Sequence, residues 1–208
     1  GWNPGTEQEF FTIEELLEQF SLEKIQKGGA IFDLKRLSWL NKLHLEKLPS
    51  IKKSAYVAKA IQKTAPQWSE IIAERFDKIH TTVLERYHTQ EEIADAVEAG
   101  EYDYLFERPS IEIAKLQWKN DTQLADVLPR LIKLLEILPE TDFSSADKIK
   151  EDIFPYAEEV GKGEVLWPYR VALTGKEKSP DPFSVSYALG KEETLARLEN
   201  VCAKIKEQ

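Results

Sequence analysis

The sequence predicts an all-α fold, a helical bundle or cage built from two consecutive helical subdomains. Apolar residues recur at helical spacing in nearly every segment, and the polar residues that precede those segments are the types that cap helices. The apolar-polar alternation of a half-buried strand is almost absent. At 42% apolar residues the chain can fill a core, which argues against disorder.

Each element follows from local chemistry. Trp2-Asn3-Pro4-Gly5 is a turn, and Thr12 then caps a helix with Glu15 at the capping-box position, where Ile13, Leu16, Leu17 and Phe20 are expected to face inward. Ser21 caps a short helix that Gly28-Gly29 closes. Asp33 caps a longer one whose apolar set is Leu34, Leu37 and Leu40. Pro49-Ser50 restarts the chain as a basic helix reaching about Thr64. Pro66 suits a first helical turn, and Trp68, Ile72, Ile79 and Val83 mark one face of a long helix running toward His88. Thr89 with Glu92 forms a second capping box, and Gly100 suits a helix C-terminus.

The second half has the same grammar. Asn120 or Asp121 caps an amphipathic helix carrying Leu124, Val127, Leu128, Leu131, Leu135 and Leu138, which Pro139 ends. Ser144 or Ser145 starts the next helix, Gly161 and Gly163 are expected to interrupt, and another runs from Val165 to Leu173. A loop from Gly175 to Pro182 follows, and Gly190 separates the last two helices. Cys202 lies on the stripe Leu195, Leu198, Val201, Cys202, Ile205 and reads as a core thiol in a reducing compartment. No apolar run approaches the ~20 residues of a membrane span, so a soluble, cytoplasmic protein is expected. The 208 residues contain no methionine and open on Gly1, which leads us to expect a segment of a longer protein.

A formal net charge of -9 conceals strong asymmetry. Between Lys24 and Lys63 ten Lys or Arg face only Asp33 and Glu46, a local charge of +8, whereas residues 1–23 hold six glutamates and no Lys or Arg. Such a stretch is either a polyanion-binding face or a set of solvated helix surfaces. Catalytic patterns are missing. The histidines His44, His80 and His88 lack partners at metal-ligand spacing, no nucleophile elbow occurs, and no glycine cluster cradles phosphate. Glutamate pairs such as Glu14-Glu15 and Glu91-Glu92 fall at helix starts, where the helix dipole accounts for them. A hydrolase built on His80 or His88 has no supporting nucleophile.

Two groups of residues carry a resemblance. The first is Gly1-Trp2-Asn3-Pro4-Gly5 with the run from Phe32 to Asn41; the second is Trp167 to Gly175, Ser179-Pro180, Leu189-Gly190-Lys191-Glu192 and Leu195-Ala196-Arg197-Leu198. In this order and spacing the chain resembles the C-terminal part of bacterial-type glutamyl-tRNA synthetases, strongly at both ends and weakly between about residues 50 and 160.

The resemblance implies tRNA(Glu) as partner, anticodon recognition as function, and a monomer. It places glutamate activation, with ATP, Mg and the HIGH-like and KMSKS-like motifs, in sequence upstream of this chain, which alone should be inactive. It implies a stem-contact-like region at 1–65 and two anticodon-binding subdomains at 66–120 and 121–208, matching a possible division near 107–121. Arg170 matches an arginine that lies near the anticodon, and Ser179, Pro180 and Pro182 match the pocket wall, although Tyr169 and Pro182 depart from the family pattern. An arginine that discriminates cytosine at the last anticodon position is matched by Arg86, with Arg75 as competitor. Read without the resemblance, Arg86 is a last-turn cation complementing a helix dipole and Arg170 a surface arginine beside Trp167. Lys35, Arg36 and Lys42 would meet stem phosphates. Trp2 and Trp39 read as packing residues. A competing function is a free-standing helical adaptor that binds protein.

Overall fold

The computed structural model describes residues 1–29, 32–118 and 123–207. These residues form eleven α-helices with short 3-10 turns and no strand; the only sheet-like pairing among them is an isolated antiparallel bridge between Trp2 and Ile25. The all-α expectation holds. The chain divides into two compact units, Gly1–Pro49 and Ser50–Gln208. The expected boundary at 65–66 lies inside the second unit, and that at 120–121 falls outside the described residues.

The first unit contains α1 (Ile13–Gln19) and α2 (Leu34–Lys47). Thr12 and Glu15 form the capping box, Ser21 caps a single 3-10 turn at Leu22–Lys24, and Asp33 accepts from the Lys35 and Arg36 amides at 2.9 and 3.2 Å. Trp2 packs edge-on against Phe11, with centroids 5.8 Å apart, as expected of a packing residue.

The apolar stripes of α1 and α2 are a correction. Ile13 is 64% exposed, Leu17 76% and Leu34 71%, and Phe20, Leu37 and Trp39 are exposed as well. Helical periodicity identifies an apolar face but not what covers it, and the described residues of this unit supply only α1, α2 and one 3-10 turn.

The second unit is built from α3 (Ser50–Thr64), α4 (Ser69–Glu74), α5 (Phe76–Leu84), α6 (Gln90–Glu98), α7 (Leu124–Ile137), α8 (Ala146–Val160), α9 (Lys162–Thr174), α10 (Pro182–Leu189) and α11 (Lys191–Lys206). Helix α3 packs on α5 and α6, α7 packs on α9 and α11, and α10 touches α5 on one side and α8, α9 and α11 on the other. Short α10 therefore joins both halves around one core, in which Ile61, Val83, Ile93, Leu128, Leu135, Ile149 and Leu198 are fully buried. Cys202 packs half-buried against this core.

Two expectations depart from the structure, each at a tertiary contact. The long helix expected from Pro66 is broken at Arg75, whose backbone leaves helical geometry and whose guanidinium donates to the Leu105 carbonyl at 2.7 Å; the expected apolar face nevertheless stays buried on both sides of the break. Gly161, at φ +129°, does interrupt, but Gly163 lies inside α9 beneath the Trp118 indole, where a Cβ would come within 2.2 Å of Nε1. The expected caps Asn120 and Asp121 lie outside the described residues. Gln123 occupies the N-cap position of α7 without a side-chain capping bond.

His80 is buried between Ser54 Oγ, 3.0 Å from Nδ1, and Ser50 Oγ, 3.4 Å from Nε2, and so ties α5 to α3. Among the described residues no helix is long and apolar enough to cross a membrane.

Candidate nucleic-acid interface

In the second unit, α5 packs on the first turn of α10. Thr82 Oγ1 on α5 donates to the Ser184 carbonyl on α10 at 3.3 Å. The loop between α9 and α10 is shaped by its own sequence. Thr174 donates back to the Arg170 carbonyl at 2.8 Å and accepts from the Lys176 amide at 3.2 Å, while Gly175 takes the left-handed conformation that ends α9. Asp181 then caps α10, accepting from the Phe183 and Ser184 amides and from Ser184 Oγ at 2.6 Å, with Pro182 at the first helical position.

A second bridge starts from this loop. Helix α6 ends in paired backbone bonds, Gly100 N–H to Val97 O and Glu101 N–H to Ala96 O, both at 2.9 Å, with Gly100 at φ +69°. This is the Schellman closure expected of a glycine past a helix end. Lys176 Nζ donates to the freed Gly100 carbonyl. Glu101 then pairs with Arg86 and accepts from the Tyr87 hydroxyl at 2.5 Å.

Tertiary packing thus links Arg86, through Glu101 and its neighbour Gly100, to Lys176 of the 175–182 loop, which is far away in sequence. Arg86 is exposed, with its guanidinium 5.7 Å from the Tyr87 ring centroid. Its competitor Arg75 is half-buried and bound to a backbone carbonyl. Arg170 is half-buried one turn before Thr174, and its Nε is buried with no hydrogen-bond partner. Ser179 is half-exposed with its hydroxyl 3.0 Å from the Pro180 carbonyl, whereas Pro180 and Pro182 are buried and support the loop from beneath. Burial raises the Glu85 carboxyl pKa, and neighbouring Asp181 adds to this.

Lys176, Glu101 and Tyr87 were not singled out in the sequence. Each stands directly beside a residue that was: Lys176 after Gly175, Glu101 after Gly100 and Tyr87 after Arg86. For Lys176 and Glu101 the available signal is adjacency to a left-handed glycine; Tyr87 carries none.

The basic stretch is shared between the two units. On α3, Lys52, Lys59 and Lys63 are exposed at spacings that put them on one face. In the first unit Lys35 is exposed, Lys42 lies 3.9 Å from Glu46, and Arg36 pairs with Glu9 at 2.7 Å. The acidic N-terminal stretch therefore supplies a partner to one of the expected phosphate ligands. Among the described residues no group of three or more His, Cys, Asp or Glu is placed to hold a metal.

The family model for the anticodon binding domain matches residues 45–202. The chain belongs to the anticodon-binding domain family. As a member of that family it is 33% identical over 206 residues to the glutamate--tRNA ligase of Clostridium botulinum (strain Eklund 17B / Type B), covering 96% of this chain and 40% of that protein. It is 34% identical over 210 residues to the glutamate--tRNA ligase of Desulforudis audaxviator, covering 98% and 41%. The anticodon-binding chain thus spans about 40% of the length of the curated relatives it matches. Its fold matches the crystal structure of a glutamate tRNA ligase from Elizabethkingia meningosepticum in complex with its amino acid, with a TM-score of 0.63, 25% identity and coverage of 98% of this chain and 39% of that one.

Proposed function

We propose that this chain is the tRNA-holding, anticodon-reading part of a glutamate-tRNA ligase. The carrying observation is the corner of the second unit where Arg86 is linked to the 175–182 loop through its pair with Glu101 and the neighbouring Lys176–Gly100 bond. Splayed anticodon bases are recognised by stacking and by hydrogen bonds to their edges, and arginine supplies a planar fork of donors for that purpose. Arg170 contributes a second guanidinium with an idle, buried Nε. Ser179, Pro180 and Pro182 form the pocket wall, Ser179 facing the ligand and the prolines holding the loop. Arg86 is favoured over Arg75 as reader of the last anticodon base because Arg75 is spent on the Leu105 carbonyl.

In this reading Lys35, Arg36 and Lys42 meet stem phosphates, which position the tRNA without reading sequence. The regions 66–120 and 121–208 act as the two anticodon-binding subdomains, and the protein works as a monomer in the cytoplasm on tRNA(Glu). ATP and Mg serve the remainder of the ligase, where glutamate is activated.

Binding of the 208-residue chain to tRNA(Glu), followed by fluorescence anisotropy across a salt series, tests the proposal. Affinity should fall steeply with salt, and Arg170→Ala should weaken it about tenfold, within the range of a lost base contact, while the circular dichroism spectrum stays unchanged. Salt-independent binding, or an Arg170→Ala variant with unaltered affinity, overturns it.

A further inference from the structure

We propose that Glu101 is a second base-reading residue, and that Arg86 and Glu101 together read the Watson-Crick edge of a cytosine. This rests on the anticodon reading of Arg86 above. Cytosine presents two acceptors, O2 and N3, next to one donor, the N4 amine. Its complement is a pair of donors next to an acceptor. A guanidinium joined to a carboxylate has that pattern, and carboxylates accept from the cytosine amine in nucleic-acid recognition generally.

The geometry leaves both groups free to do this. Glu101 engages Arg86 through Nη1, and the Arg86 side chain remains 44% exposed, so its other N–H donors are available. The Glu101 side chain is 22% exposed. One oxygen meets Arg86 and the other accepts from Tyr87 at 2.5 Å. A carboxylate has about four lone-pair sites, so each oxygen keeps acceptor capacity.

The carboxylate is also held still, which edge recognition requires. Its backbone is fixed by the closure of α6, and its neighbour Gly100 is packed so closely that a Cβ there would come 2.7 Å from Asp103 Oδ2. The Tyr87 ring that positions it stands edge-on to buried Tyr102, with centroids 6.2 Å apart. Lys176 ties the same turn to the 175–182 loop. An exposed ion pair adds little to stability, whereas a fixed donor-acceptor pair gives discrimination.

Other bases match this pair less well. Uracil reverses both positions, turning O4 toward the carboxylate and N3–H toward the guanidinium. Guanine offers O6 and N1–H with the same reversal. Adenine has an amine beside an acceptor but carries C2–H where cytosine has O2, so the guanidinium loses one bond.

The test uses the full chain and hairpin RNAs with the glutamate anticodon loop, in which the last anticodon base is cytosine, uracil or pyrimidin-2-one, a cytosine without its amine. Wild-type protein should bind the uracil and pyrimidin-2-one hairpins about tenfold more weakly than the cytosine one. In Glu101→Gln the amide can donate to uracil O4, and the cytosine preference should collapse toward parity. Equal weakening of all three RNAs by Glu101→Gln would show that the carboxylate acts only through Arg86 and would overturn the proposal. So would equal binding of cytosine and pyrimidin-2-one by the wild-type protein, a measurement that needs no variant to fold. Arg86→Ala should weaken the cytosine hairpin; if it leaves all three affinities unchanged, the anticodon reading of this corner fails as well, which separates the two failures.

Discussion

The Arg197 guanidinium donates to the Leu173 carbonyl at 2.6 Å, from a side chain that is almost wholly buried. The same group reaches the Tyr104 carbonyl at 2.7 Å, and its Nε donates to Glu193 at 2.8 Å. One side chain of α11 thereby satisfies the end of α9 and the 3-10 turn at Asp103–Leu105, the two segments that flank the candidate site. Burial lowers the Arg197 pKa and Glu193 opposes that; burial likewise raises Glu193, but bonds from Arg108 and Arg197 bring it below its ordinary range.

Arg197→Ala should therefore cost about 3–5 kcal/mol, the usual loss when one partner of a buried charged cluster is removed. Arg197→Met should recover little, because it restores volume but leaves the Tyr104 and Leu173 carbonyls unpaired. Urea unfolding of both variants checks this, and a loss below about 1 kcal/mol, typical of surface substitutions, would contradict it.

His80 gives stability a pH dependence. Burial lowers its pKa below the ordinary 6.5, Lys53 adds to that, and Asp77 opposes it. The folded protein keeps the ring neutral where the unfolded chain already takes up a proton. The contribution is therefore complete above about pH 6.5 and declines as pH falls through the lowered folded value. The urea midpoint should drop on acidification through this window, and His80→Gln should flatten the drop.

Gly163→Ala sets helix propensity against the Trp118 contact. Alanine favours a helix interior by about 1 kcal/mol over glycine. The new methyl would collide with the indole, but Trp118 is 44% exposed and can swing outward. We expect a red-shifted tryptophan emission with little net change in melting temperature. An unshifted spectrum would show that α9, rather than the indole, gives way.

Glu9→Gln releases Arg36 from its ion pair. On the proposed function, Arg36 then becomes a more available phosphate ligand. Affinity for tRNA should rise, and the salt dependence should steepen by roughly one counterion. No change in slope would remove Arg36 from the phosphate contacts.

Much of this protein was legible locally. The capping boxes at Thr12–Glu15 and Thr89–Glu92, the caps at Ser21, Asp33 and Ser145, and the glycine closures at Gly100, Gly175 and Gly190 depend on neighbours within a few residues, so composition and spacing reveal them. The all-α class followed from the same local rules. Long-range pairings carry no such signal. Burial of Val83 and exposure of Leu17 rest on equally good helical stripes and differ only in what lies opposite. The pairing of Arg86 with Glu101, the bond from Lys176 to the Gly100 carbonyl, the diversion of Arg75 to a carbonyl and the pairing of Arg36 with Glu9 are equally tertiary. A side chain's partner is chosen by the packing of whole helices, and helix periodicity specifies which face is apolar without specifying which face it meets.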